Sequence, residues 1–223
     1  MSSRRLINTV VFMGSAKNVS PPWGGPARLG DGVLNWVVST LKAREGSCGG
    51  ETVTHNVTVF DPLDIFASGG ALEGDAQLAA PHFFLKPDAI PPKMAEMAAT
   101  IKAADCYIIV SAEYNHSVPP ALLSLLGHFG GSNYAYKVSA IVTYSAGPWG
   151  GMRAAMALRP ILSELGCLPI SKLTGIPNAG DMFNADGTSK DPTNRMLGQL
   201  PSMLEQLEWF TLACMKQRAA SGV

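Results

Sequence analysis

Short apolar runs alternate with stretches of helical spacing along most of the chain. Leu6 to Met13 (LINTVVFM) reads as a buried strand: short, β-branched and stopped by Gly14-Ser15. Val33, Leu34, Val37, Val38 and Leu41 fall on one stripe and predict an amphipathic helix from Asp31 to about Arg44, ended by Gly46 and the Gly49-Gly50 pair. Thr52 to Phe60 alternates Val53, His55, Val57 and Val59, which predicts a half-buried strand near a sheet edge. Pro62 to Pro92 shows no period and carries Gly69-Gly70 and several prolines. It reads as a functional flap or a mobile excursion, with a place over a ligand pocket as one expectation.

Beyond it the pattern predicts a helix over Lys93 to Ala104 and a central strand over Cys106 to Val110. A helix opened by Pro119-Pro120 and closed by Gly130-Gly131 follows, then a strand over Val138 to Tyr144. Met152 to Leu165 reads as a helix bent at Pro160, Leu168 to Leu173 as the last strand, and residues 191–218 as a final helix. Strands alternating with helices imply an α/β domain over residues 1–223, a doubly wound parallel sheet of five strands in the order 2-1-3-4-5. In that order the ligand crevice lies at the carboxyl ends of the strands, beside strands one and three.

Composition narrows the function classes. Of 223 residues 47% are apolar, enough for a real core, so a disordered chain is excluded. Seventeen basic residues balance seventeen acidic ones, and no Lys/Arg cluster is interleaved with aromatics, so no nucleic-acid partner is expected. The longest apolar stretches are far too short to span a bilayer. Residues 1–5 lead straight into the first strand without a secretory pattern, and Cys48, Cys106, Cys167 and Cys214 are scattered with no C-x-x-C pair. Cytoplasm is the expected compartment, and the N-x-[ST] matches at Asn18, Asn56 and Asn115 are read as chance.

Three loops fall at the predicted crevice. After strand one, Gly14-Ser15-Ala16-Lys17-Asn18-Val19-Ser20 and the run to Arg28 offer what a phosphate needs: close backbone N–H groups, hydroxyls and two cations. The same residues also make an ordinary Gly/Ser turn; neither a Walker loop nor a G-x-G-x-x-G fingerprint is present. After strand three, Glu113, Tyr114 and Asn115 offer stacking surface plus polar atoms for a heteroaromatic edge, or else a polar loop capping the next helix through Ser117. After strand four, Ser145, Gly147, Gly150 and Gly151 would let main-chain N–H groups face a ring carbonyl beside Trp149, or else form a flexible turn.

At these residues the chain resembles the NAD(P)H-dependent FMN reductases, the flavodoxin-like quinone, azo and chromate reductases. The family's G-S-x-R-x-x-S loop is matched by Gly14 to Ser20 with Lys17 in place of arginine, and its P-E-Y-N loop by Ala112 to Asn115 with alanine in place of proline. Its G-x-x-G-G-x-R loop is matched by Gly147, Gly150, Gly151 and Arg153. The resemblance covers roughly residues 6 to 185; the insertion Pro21 to Ala27 departs from it, and Arg28-Leu29-Gly30-Asp31-Gly32-Val33 resembles an R-x-G-x-x-V element of some members. It implies FMN as cofactor, NAD(P)H as hydride donor and a small-molecule electron acceptor. It further implies phosphate contacts from Ser15, Lys17, Ser20 and Arg28, and flavin contacts from Glu113, Tyr114 and Asn115. Main-chain donors at Ser145, Gly147, Gly150 and Gly151 would face the pyrimidine edge. The protein then supplies no acid, base or nucleophile of its own, and no catalytic residue or metal site is expected.

Other residues have plainer readings. His116 is expected to face solvent, His128 to sit at a helix end, Cys106 to be an inert core thiol and the methionines to fill the core. Trp23 either covers the phosphate or packs on the first helix. Apolar residues occupy more than one face of Ala121 to Phe129, which suggests a homodimer, or dimer of dimers, through that helix, as in the family. The competing readings are a non-enzymatic flavodoxin-type electron carrier, against which the neutral charge speaks, and a regulatory protein that kept the fold but lost the flavin.

Overall fold

The computed structural model describes residues 4–223; the reading of Met1 to Ser3 lies outside the described residues. In chain order the elements are β1 (Arg4–Met13), α1 (Gly30–Ala43), β2 (Gly46–Cys48), β3 (Glu51–Phe60), α2 (Pro62–Ile65), α3 (Pro92–Ala103), β4 (Cys106–Ala112), α4 (Pro120–Gly127), β5 (Lys137–Tyr144), α5 (Met152–Glu164), β6 (Cys167–Pro169), β7 (Thr174–Ile176), α6 (Ala179–Met182) and α7 (Gln199–Ser221). The sheet order is β2-β3-β1-β4-β5-β6, with β7 also pairing β5. All pairings are parallel except β2 with β3. The expected order is therefore present in a flavodoxin-like α/β fold, with two differences at the margins.

Gly49 and Gly50, read as helix terminators, instead carry positive φ (60° and 83°) at the tip of a hairpin that adds β2 antiparallel at the edge. Two glycines between short strand-formers are a known hairpin signal, because both central residues of a type I′ turn need φ > 0. The last strand is not one run over Leu168 to Leu173 but two pieces beside different halves of β5: Lys137 pairs Cys167, and Val142 pairs Thr174. Pro169 has no N–H for the ladder, so the chain leaves the sheet there and returns at Thr174. The final helix begins at Gln199 rather than 191, because Asp191 accepts from the backbone and hydroxyl of Thr193 in a local turn.

β4 and β5 are buried along their whole length, as central strands covered on both faces should be. α1 and α7 cover one face, with Val33, Val37, Leu41, Leu204 and Leu207 at or near zero exposure. α3, α4 and α5 cover the other, through Met97, Ile101, Leu122, Leu125 and Leu158. The Pro62–Pro92 excursion is built of α2, turns and two short 3-10 segments, and it packs on α4. Asp75 Oδ2 meets His128 Nε2 at 3.1 Å, the backbone of His82 donates to His128 O, and Leu78 lies against Gly127. Leu122, Leu125, Leu126 and Phe129 are thereby buried within one chain, and Leu123 alone of that segment's large apolar residues stays exposed. The two-faced pattern of α4 is thus met by the excursion without a second copy.

α7 is fastened through a buried polar group. Glu208 accepts two hydrogen bonds from Arg44 and lies 3.1 Å from His55 Nε2, while His55 Nδ1 meets Thr9 Oγ1 at 2.8 Å. Burial pushes the Glu208 carboxyl up, but His55 and Arg44 outweigh it and hold it below the ordinary glutamate value of 4.5. A depressed carboxylate contributes stability that is complete above its unfolded pKa and fades as pH falls through the folded one. Stability measured by urea unfolding is therefore expected to decline as pH drops below about 4.5, with a shallower decline in Glu208→Gln. An unchanged slope in the variant would show that this carboxylate does not carry the effect.

Candidate functional site

The carboxyl ends of β1, β4 and β5 lie side by side, so the three loops that leave them meet at one rim. Gly14 continues the sheet, its N–H donating to Val110 O at 2.8 Å, and a Cβ there would come within 3.2 Å of that oxygen. Ser15 is buried, whereas Ala16, Lys17, Asn18, Val19 and Ser20 are exposed, leaving an open, small-residue rim. Among the described residues Lys17 has no ion-pair partner. Trp23 is 85% exposed, so it packs neither on the rim nor on α1.

Arg28 sits differently. Its Nη1 donates to Ser15 O at 3.0 Å and to Asp61 Oδ1 at 2.7 Å, its Nη2 to Asp61 Oδ2 at 2.6 Å and its Nε to Asp31 Oδ1 at 2.6 Å. Nη2 also lies 2.6 Å from Asp31 Oδ1, so all five N–H groups face protein oxygens. Burial works against the charge, but Asp61 and Asp31 more than compensate and raise the guanidinium pKa. Asp61 is meanwhile the N-cap of α2, accepting from Leu63 N at 2.9 Å ahead of Pro62. Arg28, expected to contact a phosphate, forms in this structure a clamp that ties the first loop to α1 and to the end of β3.

The loop after β4 turns at Tyr114 to Ser117, which exchange two backbone hydrogen bonds at 3.0 and 2.9 Å. Asn115 and His116 between them have φ of 49° and 62°, the signs of a type I′ turn. Both are exposed, and the turn projects them from the rim. Ser117 is not the helix cap; α4 starts on Pro119-Pro120 without a side-chain cap bond. Tyr114 Oη meets Ser15 Oγ at 2.6 Å and so joins the first loop to the second.

Glu113 joins the second loop to the third. Its carboxylate accepts from Arg153 N at 3.0 Å, Arg153 Nε at 2.6 Å and Ala154 N at 3.4 Å, which places a negative charge on the first turn of α5. Burial raises its pKa, yet the hydrogen bonds from Arg153 and Ala154 win and hold it low. Its side chain is 5% exposed, and it ties the two loops together at the edge of the crevice.

In the loop after β5 the four expected residues part company. Gly147 has nothing within 4 Å of where a Cβ would stand, so its backbone borders open space. Gly150 and Gly151 are buried: a Cβ on Gly150 would lie 3.2 Å from Gly175 and Ile176, and one on Gly151 2.8 Å from Thr143 Cβ. Both have positive φ (60° and 74°), which turns the chain into α5. Ser145 N–H is taken by Ile176 O at 3.1 Å and its hydroxyl by Gly147 O at 2.7 Å. Trp149, 66% exposed, stands with the Arg153 guanidinium 5.7 Å from its ring centre.

Ser15, Lys17, Glu113, Tyr114, Tyr144, Ser145 and neighbouring residues line a cleft of about 170 Å³. Lys17 and Tyr114 also border an adjoining hollow of about 360 Å³ against Pro119, Pro120 and Ala121. No residue of the Pro62–Pro92 excursion lines either space, so it does not overhang this part of the rim. Two contributors were missed by the sequence reading. Asp61 was signalled by its place directly before Pro62, a helix-start pattern. Tyr144, whose buried hydroxyl has no hydrogen-bond partner, was hidden because it reads as the last residue of a strand.

Residues 7–181 match the profile of the NADPH-dependent FMN reductases. The chain belongs to that family. A probable NADPH:quinone oxidoreductase 2 from Oryza sativa subsp. japonica is 32% identical over 130 residues, 56% of this chain and 63% of the rice protein. The match therefore spans somewhat less than two thirds of that relative. Among solved structures, the flavoenzyme FerB, an NAD(P)H:(acceptor) oxidoreductase from Paracoccus denitrificans, superposes with a TM-score of 0.59 at 17% identity, over 91% of this chain and 97% of FerB. An oxidoreductase from Corynebacterium diphtheriae gives 0.60 at 13% identity, over 93% and 98% of the two chains. At such identities the likeness is one of fold. No helix among the described residues is long and apolar enough to cross a membrane, and no metal-binding cluster of His, Cys, Asp or Glu occurs among them.

Proposed function

We propose that this reductase-family member binds FMN across the three cross-tied loops and uses it to pass electrons from NAD(P)H to a small acceptor such as a quinone. The observation that carries the reading is their convergence on one crevice: an exposed small-residue rim whose Lys17 has no ion-pair partner among the described residues, an aromatic hydroxyl, and Ser145 and Ala146 of the third loop ahead of the open backbone at Gly147. These residues suit a phosphorylated heteroaromatic group, since the rim can surround an anion while Tyr114 and Gly147 leave room for a flat ring.

FMN, when bound, supplies the hydride-accepting centre at its ring N5. The chain's own residues bind and orient. Lys17 and the N–H and O–H groups of the 15–20 rim, Ser20 among them, would hold the phosphate. Tyr114 and Asn115 would border the ring system, and the backbone around Gly147 would meet its polar edge. Arg28 and Glu113 act one step back, fixing the first loop and the third.

The expected homodimer, or dimer of dimers, now rests on Phe83, Phe84 and Leu123, the exposed large apolar residues of the excursion and α4. A monomer at micromolar concentration in analytical ultracentrifugation would remove it. The cytoplasm remains the proposed compartment. Anaerobic titration of the FMN-loaded protein tests the main reading: NADPH or NADH is expected to bleach the yellow colour, and added quinone to restore it. Colour that persists with both nicotinamides would favour a simple electron carrier.

A further inference from the structure

Tyr144 closes β5 with 3% exposure, and its hydroxyl is enclosed without a hydrogen-bond partner among the described residues. An unpaired buried hydroxyl is destabilising, so a phenylalanine would serve the core better unless the oxygen is used in another state. The hydroxyl lies against Gly30 so closely that a Cβ there would stand 2.1 Å from it. Ser15 is its polar neighbour, near enough to offset part of the effect of burial on the phenol though not in hydrogen-bond geometry with it, and both line the same cleft. Ser15 Oγ is already occupied: Lys17 N–H donates to it at 3.3 Å, and Tyr114 Oη lies 2.6 Å away. A serine oxygen accepts two hydrogen bonds and donates one. Either hydroxyl can donate across that contact; when Tyr114 O–H does, it and Lys17 N–H fill both lone pairs of Ser15 Oγ and Tyr144 is left out.

Resting on the reading that the Ser15 loop holds the FMN phosphate, we infer that Tyr144 is a positioning residue whose hydroxyl becomes paired only when the anion is bound. With the phosphate bound, the N–H of Lys17 and the hydroxyl protons of Ser15 and Tyr114 would turn toward it. A lone pair on Ser15 Oγ is thereby freed, and Tyr144 O–H donates to it, holding the Ser15 proton on the phosphate. Burial raises the Tyr144 pKa above that of an ordinary phenol, which keeps the proton needed for this role. The ligand-free protein carries a buried defect that ligand binding repairs.

The test compares the purified apoprotein and its Tyr144→Phe variant by fluorescence titration with FMN and with riboflavin, which lacks the phosphate. Tyr144→Phe is expected to raise the FMN Kd about tenfold, to leave the riboflavin Kd unchanged, and to leave the ligand-free Tm equal or higher. In a Ser15→Ala background the same substitution is expected to change the FMN Kd by less than about twofold, since the relay is already broken. Equal loss of both ligands, a lower ligand-free Tm, or an undiminished effect in the Ser15→Ala background would overturn the inference while leaving FMN binding intact. Wild-type protein that binds neither ligand would remove the FMN reading itself, and this relay with it.

Discussion

Arg28→Met is expected to lower the folding stability of the protein by about 3 kcal/mol, whereas Lys17→Met should change it by less than about 0.5 kcal/mol. The difference follows from what each charge faces. Arg28 fills its five donors with Asp61, Asp31 and Ser15 O, and the Asp61 side chain is only 12% exposed. Removing the guanidinium strands a carboxylate with little water to replace its partner, and it frees the first loop from the end of β3. For a chain of this size the loss corresponds to a fall in Tm of about 6–12 °C. Lys17 is exposed and has no ion-pair partner among the described residues, so its loss should appear in ligand binding: an FMN Kd about tenfold higher and less sensitive to salt. Thermal melts and FMN titrations of both variants decide the matter. If Arg28→Met instead kept its Tm and lost only FMN affinity, the arginine would be a direct phosphate ligand after all.

Gly151→Ala should be comparably damaging, at about 2–5 kcal/mol, and should weaken flavin binding by distorting the third loop. Its φ of 74° is unfavourable for any residue with a Cβ, and the added carbon would stand 2.8 Å from Thr143 Cβ and 2.9 Å from Tyr144 N. Neither neighbour can give way, since one is a buried β-branched side chain and the other is strand backbone. Gly147→Ala is the matched control: with open space at its Cβ position, the urea midpoint should stay where it is while FMN affinity falls. A tolerant Gly151 would mean that the loop after β5 can reshape, and that the rigid seat described for it is not required.

The central architecture was legible in the sequence because buried parallel strands announce themselves. Cys106 to Val110 and Val138 to Tyr144 are apolar runs too short for helices, and both became fully buried neighbours in the sheet. The margins were not, because there the chain obeys local turn chemistry and long-range contacts together. Gly49-Gly50 can end a helix or tip a hairpin, and only the pairing of Ser47 with Thr52 decides between them. At the candidate site, motif spacing identified which loops converge but not which side chains are spent holding them together. Arg28 and Glu113 have the right charge and position for a ligand, yet their partners, Asp61 and Arg153, lie 33 and 40 residues away in sequence. Such pairings are a property of the folded neighbourhood, and no local pattern states them.

The flanks of the sheet bear on how copies of this molecule can meet. On one side the three-residue β2 covers only Glu51 to Val53 of β3, so Thr54 to Phe60 runs with no strand among the described residues on its outer side, whereas the other side ends in the three-residue pieces β6 and β7. Strand-to-strand fusion between molecules therefore has one place to start, the carboxyl-terminal part of β3, and little template on the opposite side.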